Sequence, residues 1–218
     1  MDFYQQLGDE TRDAREHLLG APAIRRAMSG DVTRGLYLAF LGQAYHHVKY
    51  TVPLLMAVGS RLGDDKAWLR SEIVHYVGEE NGHEQWILDD IEAAGGDRAA
   101  AAAALPHVET DAMIAYAWDI AMRRNPAGFF GMVYVLEGTS IALALEAASR
   151  VQSALALPDR AFSYLRSHGT LDREHVQHLA GILARLQAPE DRAAVLDCAR
   201  AMFWLYGNVF RSLDRSAS

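Results

Sequence analysis

The 218-residue sequence contains a single cysteine, Cys198. One thiol cannot close an internal disulfide or build a zinc–thiolate centre, so stability must come from a packed core and any metal must be held by nitrogen and oxygen donors. Basic charge is not in excess either: Lys+Arg number 21 against Asp+Glu 28, for a net charge of -7. Such a balance supplies no positive field for a nucleic-acid backbone or an anionic membrane surface, which leaves a small-molecule substrate as the expected partner. Uncharged apolar runs of membrane-spanning length are missing too. The polar stretch Met1 to Arg15 lacks the apolar centre of a secretory signal, and no run reaches the roughly 18 uncharged apolar residues of a membrane span. A soluble, cytoplasmic chain forming one domain over 1–218 is expected.

Strand-like alternation is also absent, and apolar residues recur at 3- and 4-residue steps, which predicts an all-α bundle of seven or eight helices. The first runs from about Phe3 to Leu19 and stops before Pro22, with a short helix over about Ala23 to Ser29 after it. Thr33 is placed to cap a helix over about Arg34 to Leu62, kinked by Pro53. The next spans about Asp65 to Ala94 and ends at Gly95-Gly96, and the alanine run Ala99 to Ala104 leads into Leu105-Pro106. Helices over about Asp111 to Arg124, Gly128 to Ala154, Pro158 to Leu186 and Pro189 to Leu213 complete the chain, with Asn125-Pro126 marking one break.

Within Phe129 to Leu145 the only carboxylate is Glu137, and a carboxylate in an apolar helix needs a partner: a cation, a tyrosine, or His83. Glu80-Asn-Gly-His83 places a carboxylate and an imidazole at i and i+3, as facing helices of di-iron bundles do. His168, Asp172 and His175 stand at i, i+4 and i+7, one stripe of a helix. Each histidine-bearing pattern alone also fits a solvated helix face, and Glu137 alone a buried carboxylate satisfied without metal, but all three features on three long helices favour a mixed carboxylate–histidine site for iron or manganese. Of the adjacent His46 and His47, only one is expected to face inward. The helical wheel favours His47, a core histidine bonded to a carbonyl being the alternative. Tyr76, one turn before Glu80, is a candidate catalytic group as a hydrogen-bond donor or redox-active phenol, and otherwise a core tyrosine. Glu79, Glu84, Glu174 and His178 read as surface or supporting groups. Phe129, Phe130, Met132, Tyr134, Trp86 and Tyr206 read as core.

The phrases FLGQAYHHVKYTVPLL, EENGHEQWILDDIEAAGGD, NPAGFFGMVYVLEGTS and SHGTLDREHVQHL resemble the heme-oxygenase-like di-iron oxidases, a bacterial branch of iron-containing redox enzymes sharing the fold of TenA thiaminases, PqqC-type oxidases and heme oxygenases. The resemblance covers almost the whole chain. It implies a TenA-like helical domain, usually dimeric, that binds two iron ions and uses O2 as co-substrate on a small amine- or carboxylate-bearing molecule. The family's ligand pattern falls on His83, Glu137, His168, Asp172 and His175. In some members a further ligand, a glutamate, stands seven positions before the third-helix histidine, where this chain has Tyr76. In others a Glu-x-x-His pair, matched by Glu80 and His83, is joined by a glutamate from the second helix, a position falling here near His46 and His47. A heme oxygenase would instead need a proximal histidine in its first helix, for which His17 is the candidate, and a metal-free TenA-like hydrolase would need a nucleophile such as Cys198.

Overall fold

Apolar residues at helical spacing define the elements, and proline and glycine define where they stop. The computed structural model describes residues 2–215, with the side chains of 168–175 outside the description. Among the described residues there is no strand, and the α-helices are α1 (Phe3–Glu10), α2 (Arg12–Leu19), α3 (Pro22–Ser29), α4 (Arg34–Val48), α5 (Thr51–Arg61), α6 (Ala67–Glu80), α7 (His83–Ala93), α8 (Arg98–Ala103), α9 (Val108–Arg123), α10 (Phe130–Leu155), α11 (Ser163–Arg185) and α12 (Pro189–Ser212).

The all-α expectation holds, but three long helices are broken where a continuous one was expected. The N-terminal helix divides at Thr11, whose hydroxyl folds back onto Leu7 O at 2.6 Å. The Arg34–Leu62 helix is not kinked at Pro53 but ends at Lys49–Tyr50, four residues earlier. That is where the proline ring would clash with a continuing helix, because it collides with the carbonyl at i−4. Pro53 then falls in the first turn of α5, where its missing N–H costs nothing. The third break, at Asn81–Gly82, separates α6 from α7, with Gly82 at φ +94°.

Other boundaries shift for local reasons. Asp97 caps the alanine run by accepting from Ala100 N at 2.9 Å, so the run forms α8. Helix α9 starts at Val108 rather than Asp111, with Thr110 buried inside it and its hydroxyl donating to Gln43 Oε1 at 2.7 Å. Helix α11 starts at Ser163 rather than Pro158, after a short 3-10 turn over Asp159–Ala161.

Helix α10 is the centre of the fold. The stretch Pro126–Leu155 is long and apolar enough to cross a membrane, yet more than half of its apolar window is buried by neighbouring helices. It packs so closely on α12 that a Cβ at Gly131 would overlap Val195 O and lie 2.7 Å from Ala199 N. Its N-terminal half, with Phe130, Met132 and Val135, belongs to one core cluster, and Ala144, Ala148 and Val151 belong to a second. Glu137 and Ser140 lie between the two, where apolar packing gives way to cavities.

Candidate metal centre

The break after Val48 decides how the paired histidines are used. Both lie in the last turn of α4 and both are buried, His46 to 1% and His47 to 3% exposure. The expectation that only one faces inward is therefore corrected: where the chain turns, neighbouring helices close in on two sides. His47 lines a cavity of about 70 Å³, its ring edge-on to Tyr206 with centroids 5.7 Å apart. His46 instead holds its Nδ1 3.4 Å from Lys49 Nζ. Burial first, then the charges of Lys49 and His107, lower its pKa, so it stays neutral.

Glu80 and His83 meet, but not on one helix. Glu80 ends α6 and His83 begins α7, and the left-handed backbone of Gly82 folds the two side chains together, Glu80 Oε2 to His83 Nδ1 at 3.1 Å. His83 is buried and its ring stacks on Trp86 at 4.0 Å. Glu80 lines the cavity, whereas His83 stands behind it and holds its carboxylate.

Glu137 enters the same cavity from α10, 9% exposed, and Tyr76 enters from α6. The Tyr76 phenol is 2% exposed. Burial first, then the nearby charge of Glu137, pushes the phenol pKa up, which keeps the proton on the tyrosine. Phe129, Met132 and Tyr206, expected as core, also line the wall. Among the residues not singled out from the sequence, the wall includes the polar Ser140, one turn beyond Glu137, and Tyr164, near the start of α11. Asp90 of α7 sets that start. Its fully buried carboxylate accepts from Ser163 N at 2.9 Å, from the Ser163 hydroxyl and from Tyr164 N at 2.9 Å, capping α11 from another helix.

His168, Asp172 and His175 lie outside the described residues, as does Glu174. Among the described residues no group of three or more His, Cys, Asp or Glu side chains is drawn tightly enough together to hold a metal ion. What they provide is a shared wall: Glu80, Glu137 and His47, with Tyr76, around one cavity. Carboxylate oxygen and imidazole nitrogen suit iron or manganese better than soft metals. Two of the expected supporting groups pair with residues not singled out from the sequence, His178 with Glu72 at 3.2 Å and Glu79 with His75 at 3.3 Å.

The residues that competing readings require are placed elsewhere. His17 packs its ring on Trp204, centroids 3.6 Å apart, and is not among the residues lining the cavity that holds Glu80 and Glu137. Cys198 is fully buried beneath Gly131, with its thiol pKa pushed up to about 12 by burial.

The fold recurs in solved structures. A domain of unknown function with a heme oxygenase-like fold from Shewanella denitrificans is 23% identical, with a TM-score of 0.89 over 99% of this chain and 93% of that one. Heme oxygenase-1 from the cyanobacterium Synechocystis, solved in complex with heme, is 13% identical, with a TM-score of 0.78 over 100% and 94%. A TenA homolog from Pseudomonas syringae pv. tomato is also 13% identical, with a TM-score of 0.75 over 96% and 92%. These likenesses show a heme oxygenase-like, TenA-like fold. No curated protein matches the sequence. A family model described as iron-containing redox enzyme matches residues 38–207.

Proposed function

Because the chain belongs to the iron-containing redox enzyme family, we propose that it is a non-heme di-iron oxidase or oxygenase. On this reading it uses O2 to oxidise a small amine- or carboxylate-bearing substrate by N-oxygenation, oxidative C–C cleavage or decarboxylation. The observation that carries this reading is the placement of Glu80, Glu137 and His47 on one cavity wall, with a protonated phenol beside Glu137. Tyr164 adds support, since it lines the same cavity and the spacing 164, 168, 172, 175 is that of one helical stripe. His168, Asp172 and His175 would then be the ligands contributed by α11, joining Glu80, Glu137 and His47, with His83 holding Glu80.

Iron, when bound there, supplies the redox chemistry with O2, and manganese would suit the same donors. The chain's own residues do the positioning. His83 holds the Glu80 carboxylate at 3.1 Å, and Tyr76 stands on the same wall as Glu137 as a neutral phenol that keeps its proton. Phe129, Met132 and Leu136 line the rest of the wall, which limits water near the donors. Asp90 anchors the first turn of α11 and with it Tyr164.

A heme-degrading reading is disfavoured by His17, which is stacked on Trp204 and lines neither the donor-bearing cavity nor the apolar one beside it. A thiol-based hydrolase is disfavoured by Cys198, which is buried and reluctant to ionise. We further propose that the protein works as a homodimer, the commonest closed assembly of small proteins. The test of the functional reading is metal analysis of protein purified without chelator, followed by oxygen-electrode measurements after anaerobic Fe(II) loading. Co-purified iron or manganese together with iron-dependent O2 uptake is expected; no retained metal and no uptake above free Fe(II) would overturn it.

A further inference from the structure

A second cavity, of about 90 Å³, lies next to the donor-lined one and shares three of its wall residues, Ser140, Tyr164 and Tyr206. Among the described residues no charged side chain lines it. Its walls are apolar side chains of α3, α4 and α10, such as Ile24, Met28, Phe40, Leu143 and Ala147. The few polar groups on the wall are largely committed elsewhere: the Thr139 hydroxyl donates to Val135 O at 2.6 Å, and the Tyr37 hydroxyl to Ala161 O at 2.6 Å. A polar ligand entering this space would lose its hydration without replacement, whereas an apolar one gains by leaving water.

The two cavities lie in series along α10. The donor-lined one touches residues 132–140 of that helix and the apolar one residues 139–151. From Ser140 to Val151 the helix rises about 16 Å, so the space is drawn out along the helix rather than gathered into a sphere. Small residues keep it open, Ala23 and Ala27 on α3 facing Ala144 and Ala147 on α10. A further void of about 10 Å³, lined by Phe40, Ala44, His47 and Tyr206, lies between the two.

We propose that the apolar cavity binds the tail of the substrate, an unbranched aliphatic chain whose polar head passes the neck of Ser140, Tyr164 and Tyr206 to reach Glu137. The assignment rests on the reading that the donor-lined cavity is the reaction site, and it narrows the substrate to amphipathic molecules with a single extended chain. Ser140 is then a specificity residue, because its side chain stands where head and tail join.

The test uses metal-free protein, so that it does not depend on iron chemistry. Binding of straight-chain alcohols, amines and carboxylates of increasing length is measured by calorimetry. Affinity is expected to rise about fourfold per added methylene, the equivalent of ~0.8 kcal/mol, and to level off once the tail fills the cavity. The slope should be common to the three series, and the offset between amines and carboxylates identifies the preferred head. Ala147→Phe and Ala27→Phe fill the cavity from opposite walls, and either folded variant should level off at a shorter chain while binding iron as the wild type does. Affinity independent of chain length, or levelling-off unmoved in a folded filling variant, would overturn the tail site. Loss of iron binding in the wild type would instead overturn the di-iron reading, whatever the chains do.

Discussion

Replacing Asp90 by alanine tests how the fold holds the cavity wall in place. In the native structure the carboxylate is fully buried and accepts from Ser163 N, the Ser163 hydroxyl and Tyr164 N. Alanine leaves two backbone N–H groups at the buried start of α11 without their acceptor, at about 1–3 kcal/mol for each unsatisfied group. Relief from burying a carboxylate, which already raises the pKa of Asp90, offsets part of this loss. The net destabilisation expected is about 3 kcal/mol, a fall in Tm of roughly 6–12 °C for a chain of this length. Asparagine keeps one acceptor oxygen and should cost about half as much. Thermal unfolding followed by circular dichroism measures both. An alanine variant melting within about 1 °C of the wild type, or alanine and asparagine variants that match, would refute the claim that Asp90 organises the start of α11.

Stability should fall as pH drops below about 6.5, because burial holds the pKa values of His17, His46 and His107 below their ordinary value. The unfolded chain then binds protons that the folded chain does not. Urea midpoints at pH 7.5 and 5.5 check this, and an unchanged midpoint would contradict it. Gly131→Ala should destabilise by about 2–3 kcal/mol, since the added methyl meets α12 backbone and Cys198 rather than a flexible side chain; a denaturant titration within error of wild type would show that α10 and α12 can part freely. Gly82→Ala meets open space but must adopt φ near +94°. A loss of about 1–2 kcal/mol is expected, with weaker Fe(II) binding as Glu80 and His83 are displaced from each other.

Much of the fold is legible in the sequence because inward-facing residues repeat at helical spacing, and Thr33 caps α4 as its position suggests, accepting from Leu36 N at 3.1 Å. The breaks are less legible. Across Lys49–Tyr50 and Asn81–Gly82 the apolar pattern continues, since a short turn can keep the same face on the core, and only Pro53 and the Asn-Gly pair mark the interruption. Glu80, Glu137, His47 and Tyr76 stand out as polar groups on apolar stripes and do share a cavity. The role of His83 behind Glu80 was not legible, because a wheel drawn through an unbroken helix puts both on one face. Ser140, Tyr164 and Asp90 carried no signal: a serine or tyrosine on an apolar helix reads as core, and a cap supplied from 73 residues away lies beyond any local rule.

Anaerobic Fe(II) titration of the wild type and of Glu137→Gln, His168→Ala, Asp172→Ala and His178→Ala is the most direct test of the di-iron proposal. The wild type is predicted to bind two iron ions. Glu137→Gln should keep the helical circular dichroism spectrum but lose one of them along with O2 uptake. His168→Ala and Asp172→Ala should lose tight binding, and His178→Ala, whose imidazole pairs with Glu72, should change it little. Two irons and normal O2 uptake in Glu137→Gln, together with unchanged metal content in the His168 and Asp172 variants, would contradict the account and leave Glu137 a structural carboxylate.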